Sequence, residues 1–534
     1  MPSFNLLDER WIPCVMAGGE ARDLSLRDAL VEADQTRELF DASPLVTAAL
    51  HRLLLAVLWR VFPLRSLAEW KALWQGKRFD AARLDAYFDQ WRERFDLLHP
   101  EKPFYQLGGL TLGKRTPLKR LGWEFAASNN GTLFDHSSDN DRPAIEPKVA
   151  ARWIVATHCF AASAGKSETI HTKDSPWSRG AAILIQGANL FETLSLNLLN
   201  LLRTDFPQSG DDLPAWEPAW EPAWEKDAVW HPQHDQTPDG MLEYLTWQSR
   251  AIKLLPDENG DLRECHFAQG RAIREEFKIE PAYAYKRDQK LGLLVWQFNE
   301  NRALWRDSHS LFNLLDDAPF QLPQALHHLA KLVREKTLDR HRLYRLQILG
   351  QCLESGQPTI HFWRNERLPL SADYLNEKPL LDKLREAVTL SEDAARVLQS
   401  GVYSLAKALL EFVADRQPDR KDVQQMTTHL QTEPFYWAQL EAPFKHLLTD
   451  LPSDQTQGEE GEAVYGKQAL TAWARVLEKT ANDAFHIATR SLDGSSRALK
   501  TVAAAERGFR WKLREALKGC LETDNHTESA GGKQ

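Results

Sequence analysis

The residues best suited to chemistry are acidic and histidine side chains between positions 135 and 171. They are Asp135, His136, Asp139, Asp141, His158 and His171. Carboxylates and imidazoles are ligands of dinuclear metal nucleases, where they must converge around an open coordination position. Here they lie in a stretch rich in Ser, Asn and Asp, without a helical or strand spacing that would aim them at one point. Polar loop residues are the favoured interpretation, and a metal-dependent nuclease using Asp135 and His136 is kept as an alternative.

A second candidate is the tripeptide Gly165-Lys166-Ser167, which looks like the end of a Walker A phosphate-binding loop. That loop needs another glycine five residues before Gly165, so that consecutive backbone amides wrap the phosphates. The position holds Phe160. The sequence also lacks a nucleophile elbow, an HExxH motif and a dinucleotide-binding fingerprint, and its five cysteines form no C-x-x-C pair. We therefore predict that the chain is not an enzyme and uses neither a metal nor a cofactor.

Composition limits the class of protein. A chain of 534 residues is expected to form two domains or more, and 43% hydrophobic with 26% charged residues is typical of soluble globular proteins. The N-terminus has no signal-peptide pattern, and His51, Arg52 and Arg60 interrupt the most apolar run. A cytoplasmic protein without a membrane span is predicted. The net charge of −9 argues against a free-standing, non-specific DNA binder.

These residues must be positioned by two kinds of sequence. Residues 1–370 are mixed, with strand-like runs after Gly180 and Gly292 and a helical run from Pro44 to Phe62. From about residue 375 to 518 the sequence is helical almost throughout, with a capping-box pattern at Thr389 and Glu392 and a second helix predicted over about 419–448. The predicted fold is α+β: a large mixed N-terminal domain, 1–370, followed by a C-terminal antiparallel four-helix bundle, 371–534, with a disordered tail.

Two features of this organisation carry possible function. The predicted last helix, 496–518, has seven basic and two acidic residues, a balance of +5. Its face is either simply solvated or contacts a nucleic-acid backbone through Arg507, Arg510 and Arg514. The other feature is a threefold PAWE repeat over residues 214–225. Proline at every fourth position forbids a regular helix, so the repeat is interpreted as a tolerated loop insertion.

Four segments resemble one family. They are the opening Phe4-NLLDERWIP, His99-PEKPFYQL, Leu245-TWQSRAIKL and Gln357-PTIHFWRNERLPL, in family order over roughly residues 4–370. Together they are similar to the large subunit, CasA, of the type I-E CRISPR surveillance complex Cascade. The resemblance implies a non-catalytic subunit of an RNA-guided antiviral complex. Such a subunit recognises the protospacer-adjacent motif (PAM) in double-stranded DNA, promotes duplex opening and R-loop formation, and helps recruit a helicase-nuclease.

The resemblance also implies partners and one RNA contact. The partners are the other Cascade subunits, the guide CRISPR RNA and double-stranded target DNA carrying a PAM. Phe134, Asp135 and His136 look like the start of the loop that contacts the 5′ handle of the guide, where an aromatic ring can stack on a base. The negative net charge is then no contradiction, because partners and guide supply the larger channel.

Three further segments are implied to reach DNA. Gly165 and Lys166 lie where the family has a glycine loop at the PAM minor groove, although Ser163 and Ala164 stand where glycines are common. Lys278 matches a lysine that enters that groove, with Arg274 as its rival.

Gln357 matches the glutamine that wedges beneath the first base pair beyond the PAM. A purely structural scaffold subunit, which only bridges partners, remains the second alternative to PAM recognition.

Overall fold

The computed structural model describes residues 3–122, 141–163, 172–198, 212–217, 236–274, 280–314, 318–353, 359–414, 417–457, 463–490 and 496–521. The chain divides into two compact units. The first contains Met1–Asn299, Pro319–Thr337 and Tyr344–Arg367. The second contains Glu300–Ala318, Leu338–Leu343 and Leu368–Gln534. The second unit thus takes in two short segments that precede residue 370 in the chain.

The first unit combines helices with four small sheets. Its helices are α1 (Leu26–Val31), α2 (Pro44–Val61), α3 (Leu67–Gly76), α4 (Ala81–Trp91), α5 (Pro147–Phe160), α6 (Leu190–Asn197) and α7 (Met241–Leu245). After α8 (Ser308–Leu311), which belongs to the second unit, it adds α9 (Gln324–Arg334). Short 3₁₀ helices cover Arg92–Phe95 and Leu118–Leu121.

The strands form three-stranded sheets. They are β1 (Ile12–Met16), β2 (Ala21–Leu24), β3 (Thr36–Leu39), β4 (Thr116–Pro117), β5 (Ala181–Gln186), β6 (Arg250–Pro256), β7 (Leu262–Gln269), β8 (Tyr285–Asp288), β9 (Gly292–Val295), β10 (Phe320–Gln321), β11 (Leu343–Leu353) and β12 (Ile360–Ser371). Their orders are β2-β1-β3, β4-β7-β6, β12-β11-β5 and β10-β8-β9. The α+β class predicted from the sequence is confirmed.

Helix α2 forms the centre of the first unit. Pro44 begins it, where a missing backbone N–H removes no helical hydrogen bond. The helix is long and apolar enough to cross a membrane, yet 89% of it is buried inside the protein. His51 is buried in it with its Nδ1 2.8 Å from the Thr47 carbonyl oxygen, and burial lowers the pKa of this imidazole to about 4. We interpret α2 as a core helix with a neutral histidine.

The two predicted strand-like runs differ in burial. All six residues of β5 are buried, as expected for a strand inside a packed unit. In β9, Leu293 and Leu294 are exposed although the run is equally apolar. The pattern of apolar residues identified both strands, but it did not distinguish a covered strand from an uncovered one.

The first copy of the PAWE repeat is part of the core. Trp216 is buried and its indole nitrogen donates to the Tyr87 hydroxyl at 2.6 Å. Glu217 accepts two hydrogen bonds from Arg60, at 2.7 and 2.8 Å, and one from Tyr87 at 2.9 Å. This copy anchors the chain, whereas residues 218–235 lie outside the described part of the structure.

The second unit is helical around one long helix. It contains the 3₁₀ helices Leu304–Asp307 and Ala372–Leu375, then α10 (Lys378–Ala414), α11 (Arg420–His429), α12 (Thr432–Ser453), α13 (Lys467–Arg490) and α14 (Ser496–Leu521), with a small hairpin of β13 (Gln455–Gln457) and β14 (Ala463–Tyr465). Helix α10 contacts each of the four helices that follow it. Trp305 is buried against Trp437, Phe444 and Trp473, which ties the early segment to the helices.

Two local expectations for this unit are wrong. Thr389 does not begin a helix: it lies inside the 37-residue α10, and its hydroxyl donates to the Arg385 carbonyl oxygen. Glu392, the expected partner in the capping box, instead pairs with Arg306 at 2.8 Å. The helix predicted over about 419–448 is divided into α11 and α12 at Gln431, whose φ of 47° breaks the helical path.

Candidate nucleic-acid interface

Most residues predicted to contact nucleic acid lie outside the described residues. These are Phe134, Asp135, His136, Gly165, Lys166, Lys278 and Gln357. The structure does describe the residues at which their segments leave and rejoin the first unit. The position of these boundary residues decides which segments emerge close together.

Hydrogen bonds join the described residues on either side of the segment 164–171. The Ser163 amide donates to Oδ1 of Asp174 and its hydroxyl donates to the Thr172 carbonyl oxygen, both at 2.7 Å. Asp174 also pairs with Arg179 at 2.5 Å. The chain therefore leaves and returns at adjacent points, directly after α5.

The TWQSR motif holds the end of α5. The buried Arg250 guanidinium donates to the carbonyl oxygens of Ala161 and Ala162, at 2.9 and 3.1 Å. The Ser249 hydroxyl donates to the His158 carbonyl oxygen at 3.0 Å. Burial lowers the pKa of Arg250 to about 10, partly offset by the charge of Asp174. Nothing in the spacing of this motif predicted that it would support the segment containing Gly165.

The buried Gln351 joins the end of α5 to strand β11, which precedes the segment containing Gln357. The Gln351 side-chain amide donates to the carbonyl oxygens of Phe160 and Ser178, at 2.8 and 3.0 Å. Gln351 lies near the end of β11, separated from the segment 354–358 by two residues, and is buried. Two of the predicted DNA-contacting segments thus emerge from one hydrogen-bonded cluster.

Glycines allow the backbones in this cluster to approach closely. Gly350 of β11 lies opposite Ala181 of β5. A Cβ at Gly350 would lie 2.5 Å from the Gly180 carbonyl oxygen, and one at Gly180 would lie 2.3 Å from the Tyr283 ring. Larger residues would force the strand and the adjoining chain apart, since such distances are well below ordinary contact.

The third segment, 275–279, returns at Glu280 beside the same elements. Glu280 is buried and pairs with Arg52 at 3.2 Å, and it also accepts from the Tyr244 hydroxyl. Burial alone would lower the pKa of Arg52, but attraction to Glu280 raises it above its usual range. Two residues further on, the Ala282 carbonyl oxygen accepts from the Ile183 amide of β5 at 2.8 Å.

Arg274, the rival to Lys278, lies at the other boundary of that segment. It is exposed, and its amide donates to the Gln236 carbonyl oxygen at 2.9 Å. Its neighbour Arg271 is held by Glu243 at 2.5 Å and lies over the Trp247 ring at 4.0 Å. Arg271 is therefore a structural residue, and Arg274 is a described cation next to the predicted groove contact.

The predicted guide-handle segment emerges elsewhere. It rejoins the described chain at Asp141, and the next residue, Arg142, pairs with Glu264 at 2.6 Å near the start of β7. The glycine segment is joined to the other end of β7, where the Lys173 amide donates to the Gln269 side chain at 2.7 Å. Glu264 and Gln269 are five residue steps apart along the strand, about 17 Å at the usual rise.

A cleft of about 710 Å³ lies beside the guide-handle boundary. Its lining includes His99 and Pro103 of the HPEKPF motif together with Arg115, Arg142 and Lys253. His99 accepts from the Lys102 amide at 3.0 Å, so the histidine of this motif shapes a turn. The cleft is a feature that the sequence did not reveal.

The residues proposed for metal chemistry find no support in the described part of the chain. No group of three or more His, Cys, Asp or Glu side chains there is placed to hold a metal ion. His158 is buried, with Nε2 2.9 Å from the Tyr105 carbonyl oxygen and Nδ1 accepting from the Arg250 amide. Burial lowers the pKa of His158 to about 4. His158 is thus a neutral core residue, while Asp135, His136 and His171 are not described.

The basic surface of the second unit lies on α14. Arg510 pairs with Glu506 at 2.6 Å and Arg514 with Glu478 at 3.3 Å. Arg507 is exposed and forms no ion pair with any described residue. Partial neutralisation weakens the field of two arginines, so Arg507 is the most available of these three arginines to an external phosphate.

Comparisons with known proteins agree over nearly the whole chain. The family model for the CRISPR-associated protein Cse1 matches residues 5–484. The CRISPR-associated protein CasA/Cse1 of Thermus thermophilus is 30% identical over 522 residues, covering 95% of this chain and 97% of that protein.

Solved structures agree in fold. The structure of Thermus thermophilus CasA aligns with a TM-score of 0.76 and 27% identity, covering 96% of this chain and all of that one. The Cse1 structure from Acidimicrobium ferrooxidans aligns with a TM-score of 0.78 and 23% identity, covering 98% of this chain and 99% of that one. Because the family model and the sequence relative each span almost the full length, this chain belongs to the CasA/Cse1 family of CRISPR-associated proteins.

Proposed function

We propose that this chain is the large subunit of a type I-E Cascade complex and recognises the PAM in double-stranded DNA. In this role it promotes duplex opening and R-loop formation, helps recruit the helicase-nuclease, and catalyses no reaction itself. Its partners are the other Cascade subunits, the guide CRISPR RNA and the target DNA, in the cytoplasm. Family membership supports assembly into Cascade. One chain of a solved CRISPR RNA-guided surveillance complex also has this fold, and it aligns with the present chain with a TM-score of 0.68.

The observation that carries the proposal is the pair of hydrogen bonds from Gln351. They join the described residues that flank the segment containing Gly165 and Lys166 to the strand that precedes the segment containing Gln357. Gln351 is buried, so water does not compete for these bonds. Two segments that must act on neighbouring base pairs are thereby held on one support, which lowers the ordering cost of binding.

The remaining contacts are proposed from the resemblance to the family. Lys278 lies in the segment that returns at Glu280, beside β5, and supplies a donor for minor-groove acceptors. Gln357 is the wedge beneath the first base pair beyond the PAM. Phe134, Asp135 and His136 contact the guide handle; their segment rejoins the described chain at Asp141, next to Arg142, which pairs with Glu264 near the start of β7.

On the second unit, we take α10, α12, α13 and α14 as the four helices of the C-terminal bundle. Arg507, Arg510 and Arg514 contact the DNA backbone from its last helix. Because the net charge of the chain is −9, such local basic surfaces and the partner subunits supply the attraction for phosphate.

The test compares guide-loaded complexes with and without this chain on duplexes carrying a matched target and a randomised PAM. PAM-selective binding is expected only with the chain present, and is expected to fade in Gln357→Ala. Gln424→Ala, at an exposed glutamine on α11, is the matched control and should bind as the wild type does.

Other outcomes would contradict the proposal. If the chain joins the complex without changing affinity or PAM preference, it is a structural scaffold. If the purified chain cleaves DNA with added divalent metal and Asp135→Ala abolishes cleavage, it is a nuclease. Both results use readouts independent of the Gln357 variant.

A further inference from the structure

Helix α14 carries a stripe of four cations and one tryptophan along its exposed face. Lys500, Arg507, Trp511, Arg514 and Lys518 are spaced seven, four, three and four residues apart. At about 100° per residue these positions fall within about 60° of one another on the helix. All five side chains are exposed. The stripe spans eighteen residue steps, about 27 Å at the helical rise.

The opposite face of α14 fixes this orientation. Phe509, Leu513 and Leu517 are buried, and the Phe509 ring stacks on Phe485 of α13 at 4.7 Å. Turning the stripe inward would expose these three apolar side chains to water. The stripe therefore lies on the outer face of α14, with Arg514 at its edge, where it pairs with Glu478 of α13 at 3.3 Å.

Trp511 is unusual for its exposure. Its side chain is 67% exposed, while Trp305, Trp437 and Trp473 of the same unit are buried. An exposed indole between Arg507 and Arg514 offers an open π face flanked by positive charge. This combination suits a polyanion whose bases are free to stack, because aromatic side chains bind bases through their faces and cations follow the phosphates.

We propose that this stripe binds single-stranded DNA, with Trp511 stacking on one base. Duplex DNA offers phosphates to the cations but keeps its bases stacked inside, so it leaves Trp511 unused. At a stacked rise of about 3.4 Å, 27 Å corresponds to about eight nucleotides. The inference rests on the proposed function, in which duplex opening produces a single strand for the chain to hold.

The test uses the full-length chain and two labelled probes of 20 positions. One is oligo(dT); the other is an abasic strand with the same phosphates and no bases. Fluorescence anisotropy gives affinity for each at several salt concentrations. Trp511→Ala is expected to weaken oligo(dT) binding about tenfold, the loss of one stacked base, and to leave abasic binding unchanged. Trp511→Phe should restore most of the affinity.

Two charge variants separate stacking from electrostatics. Arg507→Gln should weaken both probes alike and lower the salt slope by about 0.7, the value for one phosphate contact on a single strand. Lys512→Gln removes an exposed cation about 120° away from the stripe and should have a smaller effect on both.

Three results would overturn the inference. Equal affinity of Trp511→Ala and wild type for oligo(dT) would remove the stacking role. Equal losses on both probes would mean that the tryptophan acts on the fold or on charge. Reduced incorporation of Trp511→Ala into the complex, with oligo(dT) binding unchanged, would make the stripe a protein interface. PAM selectivity of the assembled Trp511→Ala complex, measured separately, tells failure here from failure of the proposed function.

Discussion

Substitution of Gln351 tests whether its two hydrogen bonds contribute to PAM selectivity as well as to stability. Gln351→Met keeps the volume of the side chain but removes both donors. It leaves the carbonyl oxygens of Phe160 and Ser178 without the partner they have at 2.8 and 3.0 Å. Each unsatisfied buried carbonyl costs about 1–3 kcal/mol, but the substitution also removes Oε1 of Gln351, which is buried without a hydrogen-bond partner. The free energy of unfolding should therefore fall by about 1–4 kcal/mol.

The same substitution should weaken PAM selectivity. Without the two hydrogen bonds from Gln351, DNA binding must order the anchored ends of two segments that the wild type already holds together. Ordering about one residue of backbone costs about 1–2 kcal/mol, which corresponds to about tenfold in PAM-selective affinity. Denaturant unfolding of the chain measures stability, and titration of PAM-matched and PAM-mismatched duplexes with the assembled complex measures selectivity.

Gln347 provides a matched control on the same strand. It is equally buried, and it bonds the side chains of Gln186 and Asn365 at 2.9 and 3.2 Å. Gln347→Met should cost comparable stability and leave PAM selectivity intact, since neither partner lies at a segment base. Loss of selectivity in both variants would trace the effect to general destabilisation, and full selectivity in Gln351→Met would refute the coupling of the two segments.

Two further predictions concern buried charge. Glu280→Gln should lower the free energy of unfolding by about 3–5 kcal/mol, because the charge of Arg52 is left buried and unpaired. Denaturant titration measures this loss, and the double variant Arg52→Met/Glu280→Gln should be less destabilised. Burial lowers the pKa of His328 to about 4, below its unfolded value. The protonated form therefore favours the unfolded chain, and stability should be full above about pH 6.5 and fall as pH drops towards 4, by up to roughly 3 kcal/mol from this residue. His328→Phe should flatten that pH dependence, and an unchanged slope would contradict the assignment.

Periodicity predicted the elements that bury one continuous apolar surface. The runs at Pro44 and Gly180 became α2 and β5 because their apolar residues leave few other ways to be covered. The helix start predicted at Thr389 was wrong because a Ser/Thr-x-x-Glu pattern also occurs inside helices. There the Thr389 hydroxyl donates to a carbonyl oxygen of the preceding turn. The partner of Glu392 was Arg306, far away in sequence, which no local pattern could indicate.

The candidate interface was predictable only in part. Resemblance named the segments around Gly165, Lys278 and Gln357, but the ends of the first and third segments are held together by Gln351 and Arg250. Both bond backbone carbonyl oxygens more than 85 positions away, at Phe160 and Ala161. Such contacts depend on the tertiary path of the chain, and a single glutamine or arginine in a strand gives no sign of them.

The anchored Pro214-Ala215-Trp216-Glu217 unit has a consequence for how this gene can change. Three identical units follow Leu213, so a replication slip that removes or adds one whole unit still leaves PAWE as the next four residues. The tryptophan that donates to Tyr87 and the glutamate that accepts from Arg60 are thereby regenerated by any in-register change in copy number. Unit number alters only the length of chain between Glu217 and Gln236. A change in the number of whole units would therefore leave the contacts of the first unit with Tyr87 and Arg60 intact.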